Sequence, residues 1–242
     1  MSFPSDALNA CLGILNALDV THFWGVAIQS QESEPKRIEL CWINRGPDSQ
    51  ERSAFPTWSW TRWSGRKIFS SEFRPSSLRA AEIQLADGTW LDILHDASLR
   101  GDLTTRNPSK RLRITGNIMQ HRLDLDEFGE LQLVLHSTLG RDFRLRIVLD
   151  RLGPLAKVSP IELASLADTT VLEVEPLGKN DNNPGDLLSA SYLLLKNHGD
   201  FYTRIGLTDA VRIGGLWGVM NRTLPSGLIP LVGTTVGTID LE

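Results

Sequence analysis

The strongest constraint in this chain is a recurring alternation of apolar and polar residues with a period of two. Residues 111–116 read Arg-Leu-Arg-Ile-Thr-Gly, and 122–126, 130–135, 144–149 and 171–175 carry the same pattern. Successive side chains of an extended strand point to opposite faces, so each stretch has one apolar and one polar face. That arrangement is typical of antiparallel sheets with one side on a core and the other in water. Asp87-Gly88 predicts a hairpin over 83–90, and Asn197-His198-Gly199-Asp200 predicts another joining 189–196 to 202–207. No regular helices lie between these stretches, which argues against a doubly wound fold. The predicted class is mainly β (α+β), an antiparallel sandwich or barrel-like region with a short N-terminal helical segment.

That helical segment is 5–19. Leu8, Cys11, Leu12, Leu15 and Leu18 recur at three- and four-residue steps and fall on one stripe. Ser5 is the expected cap, and Gly13 would admit a closely packed neighbour. A strand is predicted over 38–43, with Ile38, Leu40 and Trp42 alternating against Glu39 and Cys41. A short helix is expected near 161–167 and an exposed loop over 179–186. The expected division is 1–69, a helix plus tryptophan-rich segment, and 70–242, a β-rich region, or one continuous domain.

At 242 residues, 41% hydrophobic and 22% charged, the chain has ordinary globular composition and enough length for a sizeable core. A formal net charge of −4 gives no electrostatic case for nucleic acid. No apolar run approaches the ~20 residues of a membrane-spanning helix, and the N-terminus lacks the basic-then-apolar order of a secretory signal. Two cysteines, Cys11 and Cys41, read as small buried hydrophobes in a reducing compartment, so the expected location is the cytoplasm.

Catalytic chemistry finds little support in the residues. The five histidines form no H-x-x-x-H pair and no two cysteines have ligand spacing, so no metal site and no cofactor is predicted. The glycine-rich stretch 212–218 lacks the Lys-Ser/Thr of a phosphate loop and reads as a bend beside Trp217. Asp124 with Asp126, and Glu173 with Glu175, share strand faces, but their alternating apolar neighbours make those faces the solvated ones. No catalytic residue is assigned, and the chain reads as a non-enzyme.

The tryptophans are the distinctive feature. Seven occur, and Trp58, Trp60 and Trp63 fall within six positions, with Arg62 among them. Exposed, these residues would offer a stacking platform for sugars or bases, or a protein-binding hot spot. Trp58, Trp60, Arg62 and Trp63 are therefore the candidate binding residues. The competing reading makes the indoles core anchors whose N–H groups find buried acceptors, and it is favoured because exposing several indoles at once is costly.

The order of features over 5–69 resembles the region that follows the conserved core of fungal heterokaryon-incompatibility (HET) proteins. A helix like 5–18 leads to His22-Phe23-Trp24-Gly25-Val26, then to a strand with a tryptophan, Leu40-Cys41-Trp42. Arg52 follows, and then a Phe-Pro-Ser-Trp-Ser-Trp-x-x-Trp-x-Gly motif, matched by 55–65 with Thr57 in place of serine. The stretch 201–207 followed by Trp217 is similar to the end of such proteins. The resemblance implies a fungal source and a role in nonself recognition and incompatibility cell death, with a HET-type protein or a second copy as partner. The family core's Tyr-x-Trp-Gly and Cys-x-x-x-Asp-x-x-Cys-Ile motifs do not occur in this sequence, so no activity of that core is carried onto it. The expectation is a truncated paralogue, a partial gene product or a stand-alone accessory domain, non-enzymatic and regulatory. The alternative is a carbohydrate-type binding module using the tryptophan cluster.

Overall fold

The computed structural model of the chain describes residues 4–31, 34–44, 50–65, 67–69, 76–106, 108–138, 140, 142–151, 157–178, 189–209 and 231–242. The predicted stretches 179–186 and 212–218, with Trp217, lie outside the described residues. The chain is mainly β, as the alternation requires. Helix α1 (Pro4–Ala17) leads into β1 (Thr21–Phe23), β2 (Val26–Gln31) and β3 (Glu34–Ile38), which form a three-stranded antiparallel sheet. Strands β4 (Trp42–Asn44) and β5 (Lys67–Phe69) pair around the tryptophan-rich segment.

The large sheet contains β6 (Ala80–Leu85), β7 (Trp90–Asp92), β8 (Pro108–Met119), β9 (Arg122–Leu125), β10 (Leu131–His136) and β11 (Asp142–Leu149). Helix α2 (Pro160–Ala164) precedes β12 (Thr169–Gly178), β13 (Ser189–Asn197), β14 (Tyr202–Asp209) and β15 (Thr235–Leu241). The order is β7-β6-β8-β12-β13-β14-β11-β10-β9, with β15 pairing both β8 and β14. Hydrogen bonding therefore returns to its start along β8, β12, β13, β14 and β15. The last link is parallel, Tyr202 beside Leu241, with Glu242 N–H donating to the Tyr202 carbonyl at 3.0 Å. A closed ring of five strands results, extended by the β6–β7 hairpin and the β9–β11 meander; closure removes exposed edges.

Both expected hairpins are present. Asp87 Oδ1 accepts the Thr89 N–H at 2.9 Å while Gly88 takes φ +88°, a conformation glycine adopts without penalty. Gly199 does the same between β13 and β14, with Asn197 Oδ1 accepting its N–H at 2.7 Å. Helix α2 starts on a capping box, in which Ser159 and Glu162 satisfy each other's backbone N–H groups.

The central strands bury both faces. Leu172, Val174, Leu193 and Leu195 join one core with Leu112, Ile114, Ile239 and Leu241, roofed by Phe23, Ile28, Ile38 and Trp58 from the N-terminal segment. Val171, Tyr192 and Leu194 face a second core made with Leu133, Phe143 and Leu145 of the meander. The run Leu193-Leu194-Leu195 is therefore apolar without alternation, as a strand covered on both sides must be. Residues 1–69 and the β-rich region share the first of these cores.

Several local expectations are corrected. The helix begins at Pro4, so Ser5 lies within its first turn rather than capping it. Of the predicted stripe Leu8 is buried, Leu12 and Leu15 are half-buried and Leu18 is 67% exposed, while the Cys11 side chain lies outside those described. A Cβ on Gly13 would meet nothing within 4 Å, so among the described residues no neighbour packs there. The 38–43 strand is broken, since residues 39–41 connect β3 to β4 and pair with neither. Glu39 is not its wet side but buried, at 8% exposure, while Cys41 is buried as expected, at 2%.

Candidate functional site

The two motifs that carry the family resemblance fold onto each other. The chain reverses between β1 and β2 through Trp24 (φ +47°) and Gly25 (φ +79°). Positive φ is uncommon for a bulky residue and persists only where the surroundings hold it. Here the Trp24 indole donates to the Ser109 carbonyl at 3.2 Å and its ring meets Phe55 edge-on at 6.1 Å. The carbonyls of this turn are taken by the tryptophan motif: Ser59 Oγ donates to Trp24 O at 2.7 Å and Trp60 Nε1 to Gly25 O at 2.8 Å. A side chain on Gly25 would press on Thr61, Trp60 and Leu8 at 3.0–3.2 Å, so only glycine fits.

Most of the rest of the motif is likewise engaged, although the buried Trp63 indole N–H meets no acceptor among the described residues. Trp58 is wholly buried, stacks at a tilt on Phe23 (5.0 Å) and donates through Nε1 to Lys110 O at 2.9 Å. Trp60 and Trp63 are half-buried around the 3-10 turn Trp60–Arg62, which Ser59 caps. Arg62 pairs with Glu51 through Nε (2.9 Å) and reaches the Phe55 carbonyl at 2.7 Å. Arg52 donates to Thr61 O at 3.2 Å and Trp63 O at 3.4 Å. The predicted binding residues Trp58, Trp60, Arg62 and Trp63 are thus brought together, but as a packed knot. Trp58 presents no surface to a ligand, whereas Trp60, Arg62 and Trp63 keep part of theirs.

Below the knot runs a seam of buried charge that joins the N-terminal segment to the ring. Arg204 on β14 pairs with Asp150 (Nε to Oδ2, 2.9 Å) and donates to the Leu40 carbonyl at 2.6 Å and to the Trp42 carbonyl. Its guanidinium lies 3.6 Å from the centre of the Trp42 ring. This planar fork meets a carboxylate, two carbonyls and an aromatic face at once, which a lysine cannot do. Asn44 Nδ2 donates to Asp150 O (3.1 Å), and Lys67 Nζ to Asn44 Oδ1 (3.1 Å). Burial pushes the Asp150 carboxyl above its ordinary range against the pull of Arg204, and lowers Lys67 to about 8.

A second buried group adjoins it. Arg37 of β3 pairs with Glu175 of β12, whose other oxygen accepts from Ser191 of β13. Glu39 accepts the Cys41 N–H at 3.2 Å and faces Gln29 Nε2 at 3.5 Å. Burial raises the Glu39 carboxyl to about 7, partly offset by Arg37, and raises the Cys41 thiol far above its usual value. Glu173, expected on a solvated face with Glu175, is also buried (6% exposed) and accepts from Asn117 Nδ2 at 2.7 Å. Asp124 does lie at the surface, beside Arg122 and Arg144.

Sequence reasoning missed this seam. Its only local signals are charges inside apolar surroundings: Glu39 between Ile38 and Leu40, and Glu173 and Glu175 beside Val174. Among the described residues no cluster of three His, Cys, Asp or Glu side chains could hold a metal, and no helix is long and apolar enough to cross a membrane. Comparison of the chain with protein-family models, with characterised proteins and with solved structures finds no match.

Proposed function

We propose that this chain is a HET-related, non-enzymatic interaction and regulatory domain acting in fungal nonself recognition and incompatibility cell death, in the cytoplasm. The observation that carries the reading is the interlock of the two resembling motifs. Ser59 and Trp60 close the Trp24-Gly25 turn, Trp42 donates to the Trp58 carbonyl, and Trp58 on β8 and Arg204 of β14 over Trp42 seat the segment on the ring. Residues that resemble a family signature are here the ones that hold the segment's shape, which favours a domain kept for its surface rather than for a reacting group. The carbohydrate-binding alternative needs an open ring platform and loses its footing with Trp58 buried.

The partner is a HET-type protein or a second copy of the chain. Light scattering on size-fractionated mixtures with a full-length HET protein should reveal a stable complex, or a dimer of the chain alone. Two species migrating independently, with the chain strictly monomeric, would overturn the proposal.

A further inference from the structure

The connector between β3 and β4 carries a buried acid, Glu39, that bonds to neither guanidinium of the seam. Two guanidinium groups reach it, and each has a carboxylate: Arg37 has Glu175 from β12, and Arg204 of β14 has Asp150. Glu39 sits between these pairs with neutral donors only, the Cys41 N–H and Gln29 of β2. Ser191 of β13 closes the far side, on the second oxygen of Glu175. Cys41 on the same connector is buried and its thiol is held neutral. Protonated, Glu39 leaves the Arg37–Glu175 and Arg204–Asp150 pairs as they stand, with Lys67 farther off on Asn44; ionised, it adds a negative charge facing Glu175 in a site water scarcely reaches.

The connector is also where such a charge would act. Residues 39–41 belong to no strand, yet the carbonyls of Leu40 and Trp42 are the two that Arg204 holds. We propose that Glu39 is a proton-operated latch: neutral, it lets residues 37–44 seat against β12, β13 and β14, and ionised, it loosens that segment and the Trp42–Arg204 contact with it.

The direction follows from linkage. Burial lifts the carboxyl from an ordinary 4.5 to about 7 in the closed form, with Arg37 and Arg204 opposing and Glu175 reinforcing. The closed form keeps a proton that the open form releases, so opening becomes easier as pH rises through that window and levels off above it. Two or more pH units of difference make opening on the order of a hundredfold more frequent at the upper end.

The test is hydrogen exchange on the intact protein from pH 5 to pH 8.5, expressed as protection factors so that intrinsic base catalysis divides out. Protection of the Leu40, Cys41 and Trp42 amides should fall roughly a hundredfold by about pH 7 and then level, while β10 and β11 stay unchanged. Glu39→Gln keeps the acceptor for Cys41 without the charge and should flatten the profile at its protected level. An unchanged profile in Glu39→Gln, or wild-type protection independent of pH, overturns the latch. If Glu39→Gln does not fold, the wild-type profile decides alone: loss confined to 37–44 supports the latch, and uniform loss or none refutes it.

Discussion

Replacing Arg204 with methionine gives the sharpest test of how the N-terminal segment is held. Methionine keeps most of the side-chain length and apolar volume, so the loss is confined to the guanidinium. Three things go with it: the ion pair to Asp150 (2.9 and 3.3 Å), the donors to the Leu40 and Trp42 carbonyls, and the stack on Trp42. Removing one member of a buried ion pair costs about 3–5 kcal/mol, because the other charge stays behind in a poor solvent. Each stranded carbonyl adds about 1–3 kcal/mol, reduced as the connector shifts to find water, and the cation–π contact about 1–2 kcal/mol. These terms overlap, since one guanidinium makes all of them, and the net expectation is a loss of about 4 kcal/mol. In a chain of this size that corresponds to roughly 8–16 °C in Tm.

Urea unfolding followed by tryptophan fluorescence measures the loss, with Trp42 itself as a reporter. Asp150→Asn added to Arg204→Met should recover about half of it, because a neutral amide replaces the unpaired carboxylate. The deficit should also shrink at low pH: burial raises the Asp150 carboxyl, so the folded form holds a proton the unfolded form releases, and acid favours folding. A loss under ~1 kcal/mol, or a double variant no better than Arg204→Met, would show that Arg204 does not clamp the segment to the ring.

Two further substitutions probe the knot and the ring. Trp58→Ala should destabilise by about 3–5 kcal/mol in the same assay, with Trp58→Phe intermediate because it still strands the Lys110 carbonyl; near-native stability of Trp58→Ala would restore the platform reading. Gly206→Ala should cost about 1–3 kcal/mol, because a Cβ there would stand 2.8 Å from the Val148 carbonyl where β14 meets β11, and a neutral result would contradict that close approach.

Local chemistry was legible where it alone decides the structure. Alternation at 111–116 and 144–149, and the turns at Asp87-Gly88 and Asn197–Gly199, each need only near neighbours, and each stands as read. The preference for buried, hydrogen-bonded indoles matched Trp58; Trp60 is hydrogen-bonded but only half-buried, and the Trp63 N–H meets no acceptor among the described residues. Alternation misled at Glu39 and at Glu173 and Glu175, where polar positions imply water only if one face of the strand is free. Here the ring is covered on both sides, and the groups that satisfy these acids lie far off in sequence: Arg37 is 138 positions from Glu175. No window of sequence contains both partners. The helix stripe failed for the opposite reason, since periodicity shows which residues align but not whether anything lies beneath them, and Leu18 remains 67% exposed.

The long reach of these contacts bears on how the protein comes to be folded at all. Arg204 holds a carbonyl 164 positions earlier, and Thr57 donates to Glu242 across 185. Synthesis delivers Leu40, Trp42 and Trp58 long before β12, β14 and β15 exist to receive them. Topology dominated by such distant pairings folds slowly. The nascent tryptophan-rich segment must then wait with its apolar surface uncovered while the ribosome completes the strands of the ring. During that interval it is the part of the chain most open to aggregation and most in need of a chaperone.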